Sequence, residues 1–179
     1  FTAGLLTSRF YRGLGMLPQR RGQKAEVLRT MDLAQQHALA LQPTSSAQEH
    51  LYRENLHALW ESRSKEARWL GDDERALACA RAVIDVDPYD AKAWVELGQL
   101  HFARQQWREA ARAYAAAALL GPPASAVGRY LCGVCLRQGG DELLSALFFK
   151  DALEIDPVGI SSREAIHALP ERGILKALR

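Results

Sequence analysis

The 179 residues are poor in nearly every pattern that marks a chemical or membrane function. No apolar run approaches the roughly 20 residues needed to cross a bilayer. There are three cysteines, too few for the disulfide framework of a small secreted domain. Arg9 and Arg12 interrupt the opening stretch, so it cannot serve as the apolar core of a secretory signal. Cys79, Cys132 and Cys135 are therefore expected as free thiols in a reducing, cytoplasmic setting. The five histidines, His37, His50, His57, His101 and His167, are dispersed. No H-E-x-x-H and no paired Cys/His spacing occurs, so neither a metal site nor a cofactor is expected. β-branched residues are few beside Ala, Leu and Arg, which points to an all-α class.

Acids are missing from the opening. Arg9, Arg12, Arg20, Arg21 and Lys24 all precede the first carboxylate, Glu26. A transit peptide shares that composition, but Arg20 to Lys24 reads more simply as a solvated linker. The net charge is only +2, and no run of interleaved aromatics accompanies the basic residues, so nucleic acid is not expected as a partner. Phe1 to Leu17 reads as one short amphipathic helix, and Pro18 to Gly22 as a connector. Gly13-Leu14-Gly15 lacks the strand and third glycine of a phosphate loop. The chain opens on Phe1 rather than Met, which leaves room for residues or a further domain upstream.

What is present is helical periodicity, strongest from Ala91 to Ala124. Trp94, Leu97 and His101 recur at helical spacing with Gly98 on the same side, and Asp90 is placed to cap the first turn. Gln105 and Gln106 break the pattern. Trp107, Ala110, Tyr114, Ala117 and Ala118 form a second stripe that Gly121-Pro122-Pro123 ends. Two such helices cannot bury both faces alone and call for neighbours.

These positions resemble the tetratricopeptide repeat, a 34-residue helix pair with the pattern W-x2-L-G-x2-Y, A-x3-F and P. His101 stands where the family has tyrosine. A shift of 34 back lays Trp60 on Trp94, Ala76 on Ala110 and Pro88 on Pro122, with Arg63 and Ser64 in place of Leu and Gly. A shift of 35 forward lays Gly133 on Gly98, Phe149 on Tyr114 and Pro157 on Pro122, with Arg129 in place of Trp.

The expected organisation is an N-terminal segment over 1–22, a degenerate repeat or extra helices over 23–56, repeats over 57–90, 91–124 and 126–159, and a cap over 160–179. Ser46 with Glu49, and Ser161 with Glu164, have capping-box spacing. The resemblance implies a right-handed α-solenoid of about three repeats, with a concave face for protein binding.

Carried over by helical phase, the face would include Glu61, Lys65, Arg68 and Trp69. In the next repeat it would include Lys92, Val95, Glu96, Gln99 and Phe102, and in the last Val127, Tyr130, Leu131, Val134 and Arg137. Some members of the family clamp the carboxylate tails of chaperones with Lys, Asn and Arg at these places. Glu61, Glu96, Val127 and Leu131 cannot form such a clamp, so a partly apolar peptide or helix of another protein is expected instead. No catalytic constellation is legible, and the chain is expected not to be an enzyme. The other readings are an accessory domain or subunit of an enzyme complex, and a module that associates with its own copies. Cys132-Gly133-Val134-Cys135 has no second ligand pair and falls within a helix, where two small residues in a crowded interface explain it.

Overall fold

A computed structural model describes residues 1–161, apart from the side chains of residues 17–20 and 161. The expected cap over 160–179 falls almost entirely outside the described residues. Among those described, regular structure is helical throughout, in two compact units, one ending at Pro88 and the other beginning at Tyr89. The first holds α1 (Thr2–Arg20), α2 (Lys24–Leu39), α3 (Ser46–Leu70) and α4 (Asp73–Val86). The second holds α5 (Ala91–Ala103), α6 (Trp107–Leu119), α7 (Ala124–Gln138), α8 (Glu142–Ile155) and α9 (Pro157–Ser161).

One register recurs in four helix pairs. A small residue of the first helix, Gly15, Ser64, Gly98 or Gly133, is followed seven positions on by the turn residue Gly22, Gly71, Gln105 or Gly140. All four turn residues have positive φ, between 58° and 87°. That conformation reverses the chain in one step, and glycine takes it without a Cβ penalty. The residue after each turn is the N-cap of the second helix, and Asp72 and Asp141 accept there from the Arg75 and Leu144 amides. In three of the pairs a large side chain lies sixteen positions after the small residue and covers it. Cβ atoms added at Gly98 and Gly133 would meet the Tyr114 and Phe149 rings at 2.7 and 2.8 Å, and one at Gly15 would meet Met31 Sδ at 2.9 Å.

The α1–α2 pair is thus a fourth repeat-like hairpin where only a degenerate half was expected. It is hidden in the sequence because Ser64 follows Gly15 at a spacing of forty-nine, against the family's 34. The surplus lies in the first half of α3, which is 25 residues long. Two boundaries also move. α1 runs through Pro18 to Arg20, because a single positive-φ glycine makes the turn and a five-residue connector is not needed. The cap of α3 is Ser45 rather than Ser46, and Ser45 Oγ accepts from the Gln48 amide at 3.3 Å. Pro157 ends nothing by itself. It opens α9, whose turn is closed by Asp156 accepting from the Gly159 amide at 2.9 Å.

The interior of the first unit is unusually polar. Ser8 donates to the Ala34 carbonyl at 2.9 Å and accepts from Asn55 Nδ2 at 3.2 Å, and both side chains are buried. Arg63, where the repeat pattern has leucine, donates to Asp32 at 2.8 Å and to Glu66 at 3.0 Å. Alongside these contacts Leu59 packs with Ala34 and Ala38, with Tyr11 and Leu56 at the edge.

In the second unit α6 is gripped by α5 and α7, and α7 also carries α8 and α9. α7 approaches α6 closely at Gly128. A methyl there would meet the Tyr114 carbonyl oxygen at 2.8 Å and the Ala118 nitrogen at 3.0 Å. Backbone cannot swing aside as a side chain can. Gly128→Ala is therefore expected to lower stability by about 2 kcal/mol, even though alanine is the better helix former. Urea unfolding measures this, and an unchanged midpoint would mean the two helices separate freely.

Candidate interaction face

The candidate face is best built in the second unit, where α5 and α7 lie side by side on α6. Val95 and Phe102 of α5, two turns apart, and Leu131 of α7 rest on one cluster of Ala110, Ala111, Tyr114, Cys132 and Cys135. Each of the three is only half-buried, so a strip of apolar surface from both helices stays open to solvent. Phe102 is steadied by the Trp107 ring, edge to face at 5.1 Å. Lys92 and Gln99 are exposed on α5, and Glu96 is half-buried. Asp90 caps this helix, accepting from the Lys92 and Ala93 amides at 2.9 and 3.3 Å.

On α7, Val127, Tyr130, Val134 and Arg137 are all half-buried. Tyr130 leans on the Phe149 ring at 5.6 Å and packs with Ala126, Ala152 and Ile160. The Arg137 guanidinium lies 5.5 Å from the centre of the Phe149 ring, a cation–π distance. These two residues therefore brace the α7–α8 packing as well as offering surface. In the first unit, on α3, Lys65 and Arg68 are exposed and Trp69 is half-buried. Lys65 pairs with Glu61 at 3.1 Å.

The residues that might have suggested chemistry sit in packing roles. His101 is buried, and its Nδ1 shares a 2.6 Å hydrogen bond with Gln106 Oε1. Burial pushes the Cys132 thiol up to about 11 and the Cys135 thiol up to about 12, so neither is a thiolate at neutral pH. His50, Arg53, Glu54, His57, Val86 and Asp87 line a shallow polar depression. There His50 Nε2 lies 3.5 Å from Glu54, and Arg53 donates to the Val86 carbonyl. Among the described residues no group of His, Cys, Asp or Glu is placed to hold a metal ion, and no helix is long and apolar enough to cross a membrane.

Residue spacing missed two features of the molecule. The Arg63 network could have been suspected from Glu66, one turn along the same helix. Gly128 had no sequence signal, because the backbone it meets belongs to another helix.

Neither a family model nor a curated protein sequence matches the chain. Solved structures do. MamA 41-end from Desulfovibrio magneticus RS-1 superposes with a TM-score of 0.60 at 21% identity, over 84% of this chain and 76% of that one. The MamA RS-1 ArsTM double mutant gives the same values. A further MamA crystal structure matches at TM-score 0.50 and 15% identity, over 88% of this chain and 96% of that one. The chain has a tetratricopeptide-like helical-repeat fold. At this identity the likeness speaks for architecture alone.

Proposed function

We propose that the chain is a non-catalytic protein-interaction module, and that in its second unit the partner seats on the open side of α5 and α7. The observation that carries this reading is the strip formed by Val95, Phe102 and Leu131, half-buried side chains of two successive first helices resting on one core cluster. Their inner edges are held by packing, so little side-chain freedom is lost when a partner covers the outer edges. Val134 would extend the strip, with Lys92, Gln99, Tyr130 and Arg137 at its polar border. Val127 lies on the same helix one turn before Leu131. Lys65, Arg68 and Trp69 would form a comparable face on α3 of the first unit. A partly apolar helix or peptide of another protein suits this chemistry. A carboxylate tail does not, because the cationic clamp it would need is replaced by Glu96, Val127 and Leu131.

A photo-crosslinking amino acid placed at Gln99 is expected to capture a partner from native lysate. The same group at Arg112, exposed on α6, is expected to capture none. Adding Leu131→Glu to the Gln99 variant should abolish the adduct. Equal capture at both positions, or capture that survives Leu131→Glu, would move the binding face elsewhere.

A further inference from the structure

α1 is apolar on two sides. Its inner side is used: Leu5 and Ser8 are buried, and Gly15 lies under Met31 of α2. The opposite side carries Leu6, Phe10 and Leu14, four residues apart, and these are 60%, 63% and 37% exposed. Amphipathic packing on α2 accounts for the first side and leaves the second unexplained.

The stretch of chain that carries this ridge, from Phe1 to Lys24, has basic residues and no acidic one. Arg9, Arg21 and Lys24 are exposed and have no carboxylate partner among the described residues. Arg12, on the inward flank, is half-buried, and burial together with the Arg9 charge lowers its pKa against the opposing charge of Glu61. The first carboxylate in the chain is Glu26.

Size and shape narrow the occupant. The three exposed side chains present roughly 300 Å², at the low end of the largest patch on an ordinary monomer. A stable protein–protein interface takes about 800 Å² from each partner. The stripe is the convex side of a single helix, whereas protein anchors seat in enclosed pockets. A ridge of Leu and Phe bordered by arginine and lysine fits the interfacial zone of a bilayer, where apolar side chains reach the acyl boundary and cations meet acidic head groups.

We propose that α1 is a peripheral membrane anchor, with Leu6, Phe10 and Leu14 entering the surface of an anionic bilayer and Arg9, Arg21 and Lys24 pairing with its head groups. The protein then binds the membrane surface through α1, a role separate from the face proposed on α5 and α7.

Flotation of the full chain with vesicles tests this. With phosphatidylcholine containing about 30 mol % phosphatidylserine the protein is expected to float, and with phosphatidylcholine alone to stay behind. The Leu6→Ser/Phe10→Ser variant and the Arg9→Glu/Lys24→Glu variant should each bind the anionic vesicles at least tenfold more weakly, with unchanged circular dichroism. Raising the salt to about 0.5 M should weaken wild-type binding severalfold. Because the native cysteines are buried, a Leu6→Cys variant can be labelled there with a polarity-sensitive dye, whose emission should shift to the blue on anionic vesicles. No flotation of the wild type overturns the proposal. So does equal flotation with both lipids, or a dimer in sedimentation equilibrium that Leu6→Ser/Phe10→Ser abolishes while vesicles are ignored.

Discussion

Arg63→Leu is expected to cost about 3–5 kcal/mol, although it restores the residue type that the repeat pattern prefers. The Arg63 side chain is 7% exposed and that of Glu66 is 3% exposed. Burial pushes the Glu66 carboxyl up, while Arg63 and Arg75 hold it down. With Arg63 gone, Glu66 retains, among the described residues, only Arg75 at 3.7 Å and stands otherwise uncompensated inside the first unit. Asp32, the other partner, is 63% exposed and water can replace the guanidinium there. The double variant Arg63→Leu/Glu66→Leu should return to within about 1 kcal/mol of the wild type, because a desolvated ion pair gains little over apolar packing of similar volume. Urea unfolding gives both values. A single substitution costing under about 1 kcal/mol, or a double one no better than the single, would sink this account. Since Arg63 ties α3 to Asp32 of α2, amide exchange in α1 and α2 should rise before that in α4.

Phe149→Ala should be at least as damaging to the second unit, with a loss of about 3–5 kcal/mol. The ring is fully buried against Gly133, which leaves no side chain to collapse into the cavity. Tyr130 and Arg137 both rest on the same ring. The substitution is therefore expected to loosen two residues of the candidate face along with the core. Phe149→Leu, which keeps most of the volume, should lose less than about half as much and keep partner capture. Calorimetric unfolding of the three proteins separates these outcomes. Equal melting temperatures for wild type and Phe149→Ala would show that α7 and α8 are not held by this ring.

Both experiments probe places where helical phase was a partial guide. Phase put Gly98 on the inward stripe with Trp94 and Leu97, and the 35-residue shift laid Gly133 on Gly98 and Phe149 on Tyr114; that each ring covers its glycine is a finding of the structure. Phase also put Tyr130 and Phe102 on the first-helix surface. It could not tell that Tyr130 spends part of its ring on α8 and α9, since that depends on where Ile160 arrives. The α1–α2 hairpin escaped the repeat shift for a similar reason. Gly15 and Met31 keep their own spacing, but the long α3 displaces them from the following repeat.

The order of residues by itself determined the helix pairs α3–α4, α5–α6 and α7–α8, the turns at Gly71 and Gly140 and the Asp90 cap, because these rest on periods and dihedral preferences acting over a few neighbouring residues. The tertiary structure alone decided which half-buried side chains brace a neighbouring helix, which remain open, and how a buried arginine finds its carboxylates. Those outcomes depend on surfaces brought together from distant parts of the chain, and local spacing carries no record of what comes to cover a face.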